Sequence, residues 1–286
     1  MKPTVLTALA LAALTPFTMY AQRSARPPAR PPARPPARPP ARPPAAAPAK
    51  PAAPARPRAE RAVPFAVGET LTYDVSWSTY LTAGTAVTTV REKKPSFSST
   101  AYYIVAEGRP TPLLSKLYTL YYKLDTLLDS YTLLPQRGSN YSEEGKRHRF
   151  RTTQFDRAAK KVFFEYKTDT TVKADFPTSA VTQDALSAIY VLRAIPIKAG
   201  DRMTMPISDD GINYKAQFDV GPAEQVKTPM GQRNAWRVML ALFDDTNRPV
   251  GRNLGIWLSD DPRRLPVKVR ADLPVGSFNL VLRDAR

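Results

Sequence analysis

The fold is decided by residues 71–77, which read LTYDVSW. The apolar side chains alternate with Thr72, Asp74 and Ser76, a period of two that is typical of a β-strand with one buried face. The same alternation or a strand-rich composition recurs along the rest of the chain, at 85–90, 101–107, 117–128, 146–155, 161–167, 212–220, 235–243, 254–258, 266–271 and 277–282. The sequence therefore predicts a mainly β domain of about eleven strands.

The connections between these segments are short and rich in turn-forming residues. They lie at 143–145, 156–159, 209–211 and 244–247, and each contains Asp, Asn or Gly. Short connections make consecutive strands neighbours, so the sheet should be antiparallel. A single sheet with this many strands must also curl to manage its twist and its edges. We therefore expect one strongly curved antiparallel sheet or open barrel.

One segment follows a helical period instead. In residues 182–193 the apolar positions 185, 186, 189, 190 and 192 share one side of a helix, with Thr182 as a candidate N-cap and Asp184 in the first turn. Pro196 and Gly200 would end it. A shorter helical turn is predicted at 112–116. The longer helix is expected to cover the apolar concave face of the sheet.

The N-terminal part has a different composition. Residues 1–21 have the layout of a secretory signal peptide, with Lys2, an apolar stretch and Ala21 as a cleavage position, although an uncleaved membrane anchor is an alternative because Met19 is large for its place. Residues 22–62 repeat Ala-Arg-Pro-Pro and form a predicted disordered Arg/Pro-rich linker. Residues 63–286 are predicted to form an exported β-rich domain in the periplasm or outer envelope, with no further transmembrane helix.

The net charge of +17 is concentrated in the linker. Residues 22–62 carry ten basic residues and one acid, whereas residues 63–286 carry 31 basic and 24 acidic residues. A basic tail attracts anionic surfaces without reading a sequence, so an anionic envelope surface is its expected partner and a specific nucleic acid is not. A solvated spacer is the simpler alternative.

Little material for catalysis is present. The chain has no cysteine and one histidine, His148, and it contains no nucleophile elbow, phosphate loop or metal-binding spacing. We therefore predict no cofactor and no metal site.

Several motifs carry a family resemblance. Gly68-Glu69, the stretch 125–135, the helix motif from Asp184 to Arg193, and Ile256 to Asp261 followed by Leu-Pro-Val at 265–267 resemble the bacterial exported family called domain of unknown function 3108. The resemblance covers nearly all of residues 64–286 and implies an envelope protein without assigning an activity. A looser architectural similarity, based on the curved sheet and helix, is to the periplasmic lipoprotein carriers.

Four carboxylates are candidates for acid/base chemistry. Asp125 and Asp129 share a strand face, and Asp260 and Asp261 lie between two apolar segments. The simpler expectation is that Asp125 and Asp129 pair with arginines or end a strand, and that Asp260 and Asp261 form a turn.

The candidate ligand contacts are mostly basic or aromatic. A strand over 146–155 places three arginines on one face, where guanidinium groups could bind a phosphate or carboxylate, or could simply be solvated. On the helix, Arg193 is expected to pair with a sheet carboxylate such as Asp125 or Asp129, or to contact a ligand. The complete predicted set is Arg147, Arg149, Arg151, Tyr190, Arg193 and Trp257.

These features favour a non-covalent function. The sequence predicts an exported cell-envelope protein that binds or carries an amphipathic lipid or a glycan component in a curved β-sheet cavity. A polysaccharide-active enzyme that uses paired carboxylates, with Asp184 as a further candidate, and a periplasm-spanning scaffold are the alternatives.

Overall fold

The structure is a computed structural model that describes residues 59–78, 81–273 and 276–286. The predicted signal peptide and most of the predicted linker lie outside these residues. The described chain is mainly β, as predicted, and contains fourteen strands and two helices. The strands are β1 (Thr70–Trp77), β2 (Leu81–Ser96), β3 (Ser99–Pro110), β4 (Leu120–Asp129), β5 (Pro135–Glu144), β6 (Arg147–Asp156), β7 (Lys161–Lys167), β8 (Thr171–Pro177), β9 (Arg202–Asp209), β10 (Ile212–Thr228), β11 (Gly231–Phe243), β12 (Pro249–Ser259), β13 (Pro266–Leu273) and β14 (Gly276–Ala285). The helices are α1 (Pro112–Leu117) and α2 (Ala185–Ala194).

All strands belong to one antiparallel sheet in the order β8-β7-β6-β5-β4-β3-β2-β1-β14-β13-β12-β11-β10-β9. Neighbours along the chain are neighbours in the sheet, and β1 and β14 pair where the two halves meet. The two ends of the sheet approach each other, since Asn213 of β10 donates a hydrogen bond to the Pro177 carbonyl of β8 at 2.9 Å. Gln183 also forms a parallel bridge with Ile207 of β9. The sheet is therefore open but curled, and one side of it is concave.

The predicted number of about eleven strands is wrong, because the sequence did not indicate β5, β8 and β9. The buried side of β5 is formed by Gly138, Asn140, Ser142 and Glu144, polar or small residues that do not give an apolar period. The residues of β8 are almost all exposed. Strand β9 contains Pro206, which is typical of an edge strand.

The turns of the sheet agree with the sequence. The connection from β9 to β10 has positive φ at both Asp210 (51°) and Gly211 (79°), as a type I′ hairpin requires. The Asp156 carboxylate accepts a hydrogen bond from the Ala159 amide, and the Asp244 carboxylate accepts one from the Thr246 amide. These local hydrogen bonds fix the direction in which each strand leaves its turn.

Helix α2 lies against the concave side and separates two parts of the core. Ala188 and Leu192 pack in an apolar cluster with strands β9 to β13, for example with Phe218. Leu186 and Tyr190 pack in a second cluster with β2 to β4. The N-cap of α2 is Asp184, two residues after the predicted Thr182, and the helix begins at Ala185.

Candidate functional site

An apolar cavity of about 90 Å³ lies between α2 and the concave face of the sheet. The helix contributes Leu186, Ile189 and Tyr190 to its wall. The sheet contributes residues from β1 to β4, β13 and β14, namely Leu71, Tyr73, Ala86, Thr88, Ala106, Glu107, Gly108, Tyr122, Leu124, Pro266, Val269 and Leu280. This is the place at which the sequence predicted a cavity below a covering helix.

The cavity exists because small residues face the helix. Ala86 pairs with Gly108, and Ala106 occupies the neighbouring position on the same face of β3. Two alanines and a glycine fill less volume than the leucines and valines that occupy comparable core positions. The empty space is smaller than the apolar cavity of ~150 Å³ that holds a benzene molecule, so it is a narrow site in this conformation.

The position of α2 is fixed at its N-terminus by a capping box. The Asp184 carboxylate accepts a hydrogen bond from the Ser187 amide at 2.7 Å, and the Ser187 hydroxyl accepts one from the Asp184 amide at 3.0 Å. The other Asp184 oxygen accepts a hydrogen bond from the Thr126 hydroxyl at 2.6 Å. A Cβ at Gly138 would lie 3.1 Å from the same carboxylate, so a glycine allows this close approach.

The C-terminal part of α2 is held by a buried ion pair. The Arg193 guanidinium, whose side chain is 0% exposed, donates to both oxygens of Glu69 at 2.7 and 2.9 Å. It also donates to the carbonyls of Pro64, Arg263 and Arg264. Burial alone would lower the pKa of Arg193, but the Glu69 carboxylate outweighs it and the pKa is raised.

The sequence therefore predicted the type of contact at Arg193 and named the wrong partner. Asp125 and Asp129 have other partners; the partner of Arg193 is Glu69, which directly precedes β1. Glu69 was part of the family motif, but strand alternation gives no information on a residue outside the strand. The spatial proximity arises only when the long connection after β8 returns α2 across the sheet.

One end of the cavity is charged. Tyr122 lines the cavity, and its hydroxyl donates a hydrogen bond to Glu144 at 2.9 Å. The other Glu144 oxygen lies 3.3 Å from Arg149, which forms an ion pair with it. Burial, and after it the charge of Glu144, raises the pKa of Tyr122 well above its usual value. The apolar wall of the cavity therefore ends at Tyr122, next to the carboxylate of Glu144 and the guanidinium of Arg149.

The arginine row lies on the concave side. Cross-strand pairs place Arg149 in one row with Ser142 and Tyr122, and Arg151 in one row with Asn140 and Leu124. Side chains in such a row share a face of the sheet. Since Tyr122 and Leu124 line the cavity, Arg149 and Arg151 do not lie on a solvated outer face.

The three arginines differ in their surroundings. Arg147 is exposed. Arg149 pairs with Glu144, and Arg151 lies 3.1 Å from Asp210 in the turn between β9 and β10. Of the three, only Arg147 is exposed and takes no part in these two ion pairs. Arg149 and Arg151 already neutralise carboxylates. Their binding of a ligand stays a prediction.

An acidic cluster lies beyond the cavity. Asp184, Asp209 and Asp210 line a cavity of about 10 Å³, which has room for about one water molecule. Leu124 and Leu186 line both cavities and separate them. This small space contains no room for a sugar ring.

The pKa values of the cluster are raised. Burial raises the pKa of Asp184 to about 6, although hydrogen bonds from Ser187 and Thr126 act in the opposite direction. Burial, and after it the charges of Asp210 and Asp184, raises the pKa of Asp209. Burial also raises the pKa of Asp210 despite the opposing charge of Arg151. The sequence named Asp184 but not the other two, because residues 209–211 indicated only a turn.

The carboxylates at 125 and 129 have structural partners. Asp125 accepts a hydrogen bond from Ser139 at 2.5 Å and pairs with Arg137 at 3.2 Å. Asp125 directly follows Leu124, which lines the cavity. Because successive side chains of a strand alternate between its faces, Asp125 lies on the opposite face of β4. Asp129 ends β4 and accepts hydrogen bonds from the amides of Tyr131 and Thr132. Burial alone would raise the pKa of Asp129, but these hydrogen bonds and one from Ser99 lower it.

Asp260 and Asp261 form the predicted turn. Asp261 accepts hydrogen bonds from the amides of Arg263 and Arg264. Asp260 accepts hydrogen bonds from the side chains of Asn234 and Trp236. Their hydrogen bonds fix the loop from β12 to β13, which also supplies the carbonyls that contact Arg193.

The remaining candidates are placed as follows. Tyr190 lines the cavity, and burial raises its pKa to about 12. Trp257 lies on the opposite face of β12 from the core residue Ile256, and its indole donates a hydrogen bond to Glu224 at 2.6 Å. His148 is exposed and lies 3.2 Å from the Tyr141 hydroxyl. Trp257 and His148 are therefore not part of the cavity.

Within the described part of the chain, no group of three or more His, Cys, Asp or Glu side chains is arranged to hold a metal ion. No helix among the residues described is both long and apolar enough to cross a membrane.

Together these features define a class of β-protein in which one curled antiparallel sheet carries a helix on its concave face. The family described as protein of unknown function (DUF3108) matches residues 72–283. The chain belongs to this family, which confirms the resemblance noted in the sequence. No curated protein matches the chain.

Three solved structures are similar to the chain at low identity. A β-barrel-like protein of the domain of unknown function DUF1849 from Brucella abortus is 14% identical, with a TM-score of 0.49, and the match covers 77% of this chain and 97% of that one. A candidate exported protein with a YmcC-like fold from Bacteroides fragilis is 13% identical, with a TM-score of 0.34 and coverage of 80% and 100%. A candidate lipoprotein from Parabacteroides distasonis is 11% identical, with a TM-score of 0.33 and the same coverage of 80% and 100%.

Proposed function

We propose that the domain binds one apolar chain of an amphipathic cell-envelope molecule in the cavity below α2. The observation that carries this proposal is the group Ala86, Ala106 and Gly108, which leaves an apolar space of about 90 Å³ where larger residues would complete the core. An unfilled apolar cavity lowers the stability of a folded protein, so its presence supports a role in binding a ligand. The predicted signal peptide supports a location in the envelope.

The charged end of the cavity suggests the orientation of the ligand. The apolar chain lies against Leu124 and Ile189, and the polar head lies beyond Tyr122, near Glu144 and Arg149. A guanidinium binds a phosphate or carboxylate through paired hydrogen bonds. The exposed Arg147 supplies a second cation at the same end of β6.

The size of the cavity sets a condition on binding. Small-molecule sites enclose about 300–1,000 Å³, several times the space present here. A long chain therefore requires α2 to move outward, or a rotamer change of Ile189 and Tyr190. The ligand would replace the apolar contacts that the helix gives up.

The decisive test combines extraction with a matched pair of variants. The full chain, purified from bacterial envelopes, is extracted with organic solvent and analysed by mass spectrometry, and the delipidated protein is titrated with a dansyl-labelled fatty acid. Ala106→Leu fills the cavity with three additional carbons and should weaken binding by about tenfold or more. Ala241→Leu, the same change at an exposed position of β11, should leave binding unchanged.

Two results would contradict the proposal. One is a preparation without extractable lipid that also gives no saturable fluorescence change. The other is equal binding by the wild type and Ala106→Leu, which would place the probe elsewhere on the protein.

A further inference from the structure

Helix α1 exposes an unusual amount of apolar surface. Leu113, Leu117 and Tyr118 are 71%, 76% and 42% exposed, and the helix has no buried residue. Leu113 and Leu117 are four residues apart and therefore lie on one face of the helix, and Tyr118 follows directly as the C-cap. Such a patch marks a site of interaction.

The helix is held in place although Leu113 and Leu117 are exposed. The Thr111 side chain caps its first turn, and the Thr111 amide donates to the Ala83 carbonyl of β2 at 3.0 Å. At the other end, the Tyr118 ring packs on Gly145, where a Cβ would lie 3.2 Å from the ring. The sheet therefore presents Leu113 and Leu117 to solvent from a defined position.

The surroundings of the patch are basic. Residues 109–123 contain Arg109, Lys116 and Lys123 and no acidic residue. The adjacent turn between β5 and β6 adds Lys146 and Arg147, both exposed. The acids of this turn are engaged, since Glu144 pairs with Arg149, and Glu143 accepts a hydrogen bond from Tyr141.

We propose that this α1 patch, formed by Leu113, Leu117, Tyr118, Lys116 and Lys146, docks the domain on the surface of an anionic lipid bilayer. Leucines enter the boundary of the acyl chains, the tyrosine lies at the level of the head groups, and the lysines face the lipid phosphates. This surface differs from the basic N-terminal segment, because its binding has an apolar component.

The size of the patch favours a bilayer over a protein. A stable protein interface buries about 800 Å² on each partner, which is more than three side chains supply. Reversible attachment to a bilayer requires only a few inserted apolar groups and some basic residues. A docking protein therefore becomes one of the outcomes that the test must distinguish.

The patch lies next to one end of the cavity. Helix α1 joins β3 to β4, and Gly108 of β3 and Tyr122 of β4 both line the cavity close to this connection. A bilayer bound at α1 would face the charged end of the cavity. The docking itself does not depend on whether the cavity holds a ligand.

The experiment uses the absence of cysteine from the chain. The full-length Ser115→Cys variant, labelled with the environment-sensitive dye NBD, reports on α1, and the labelled Gln232→Cys variant reports on the opposite end of the sheet. Vesicles contain phosphatidylcholine with or without phosphatidylglycerol. We expect an increase and a blue shift of NBD emission at position 115 with the anionic vesicles, and no change at 232.

Unlabelled variants separate α1 from the basic N-terminal segment. Leu113→Ser combined with Leu117→Ser keeps every charge and should lower the vesicle partition coefficient by about tenfold at elevated salt. Phe97→Ser removes a residue that is 56% exposed in the turn between β2 and β3, at the other end of the sheet, and should have no effect. Lys116→Gln combined with Lys146→Gln should reduce the preference for phosphatidylglycerol.

Three results would overturn the proposal. They are an unchanged emission at position 115 with all vesicles, an equal response at positions 115 and 232, and unaltered partition of the double serine variant. Cross-linking of the position-115 cysteine to a single protein in envelope extracts, without an emission change on pure vesicles, would also overturn it in favour of a protein partner.

Discussion

Replacement of Arg193 by methionine should destabilise the domain strongly. The change keeps an unbranched side chain of similar length in a position that is 0% exposed. It removes both hydrogen bonds to Glu69 and the three hydrogen bonds to the carbonyls at 64, 263 and 264. The charge of the buried Glu69 carboxylate would then be compensated only by the half-exposed Arg263 side chain, whose guanidinium lies 3.7 Å away.

The expected loss follows from the uncompensated charge. Removal of one partner from a buried ion pair costs about 3–5 kcal/mol, most of it the desolvation of the charge that remains. Because Arg263 offers partial compensation, we expect the lower half of this range. For a domain of this size each kcal/mol lowers Tm by about 2–4 °C, so the decrease should be about 6–16 °C.

Equilibrium unfolding in urea, followed by tryptophan fluorescence, measures the effect. The midpoint should decrease with an unchanged slope. The double change Arg193→Met with Glu69→Gln removes both charges and should recover part of the stability. Arg202→Met provides a matched control, since its side chain is 86% exposed and its pair with Asp219 should contribute about 1 kcal/mol or less.

Two observations would contradict a stabilising role of the Arg193–Glu69 ion pair. One is a loss below about 1 kcal/mol for Arg193→Met, comparable to that of the exposed control. The other is strict additivity of the single changes at 193 and 69, because residues that contact each other should couple.

Two further changes test the acidic cluster and its turn. The pKa of Asp184 is about 6 in the folded protein, above the ordinary value of 3.8. Between about pH 4 and 6, therefore, the folded state holds a proton on Asp184 that the unfolded state has lost. The free energy of unfolding of the wild type should decrease by up to about 3 kcal/mol as the pH rises through this window. Asp184→Asn can still cap the helix and lacks this titration, so its stability relative to the wild type should rise over that window, and a constant difference in urea unfolding at pH 4 and pH 7 would contradict the assignment. Gly211→Ala should destabilise the domain by at least about 1 kcal/mol, since φ is +79° and the new Cβ would lie 3.0 Å from the Phe164 ring, and an unchanged thermal midpoint would show that the turn can relax.

The strands that the sequence identified share a simple property. Most of their buried positions are apolar, as in β1, so alternation of apolar residues reports on burial. Strand β5 has the same alternation of burial, but Asn140 and Glu144 occupy buried positions. The partner of Asn140 is Asp210, in the turn between β9 and β10, and the partner of Glu144 is Tyr122, on the paired strand β4. A local pattern therefore cannot reveal that these polar side chains are enclosed.

The candidate site was predicted unevenly for the same reason. The sequence indicated the helix, its apolar side with Tyr190, and the arginines of β6. It did not indicate Ala86, Ala106 and Gly108, because small residues in a strand have no distinctive local pattern. Only the register between β2 and β3 brings these three residues together below the helix.

The sequence by itself determined the β class, the antiparallel neighbours and the position of α2, since each depends on residues that are close along the chain. The tertiary structure alone decided that Arg193 pairs with Glu69, that the arginines of β6 lie on the concave side, and that a cavity remains below α2. These features depend on how tightly the sheet curls and how the helix lies across it. Both are set by contacts between residues that are distant in sequence, which no local periodicity records.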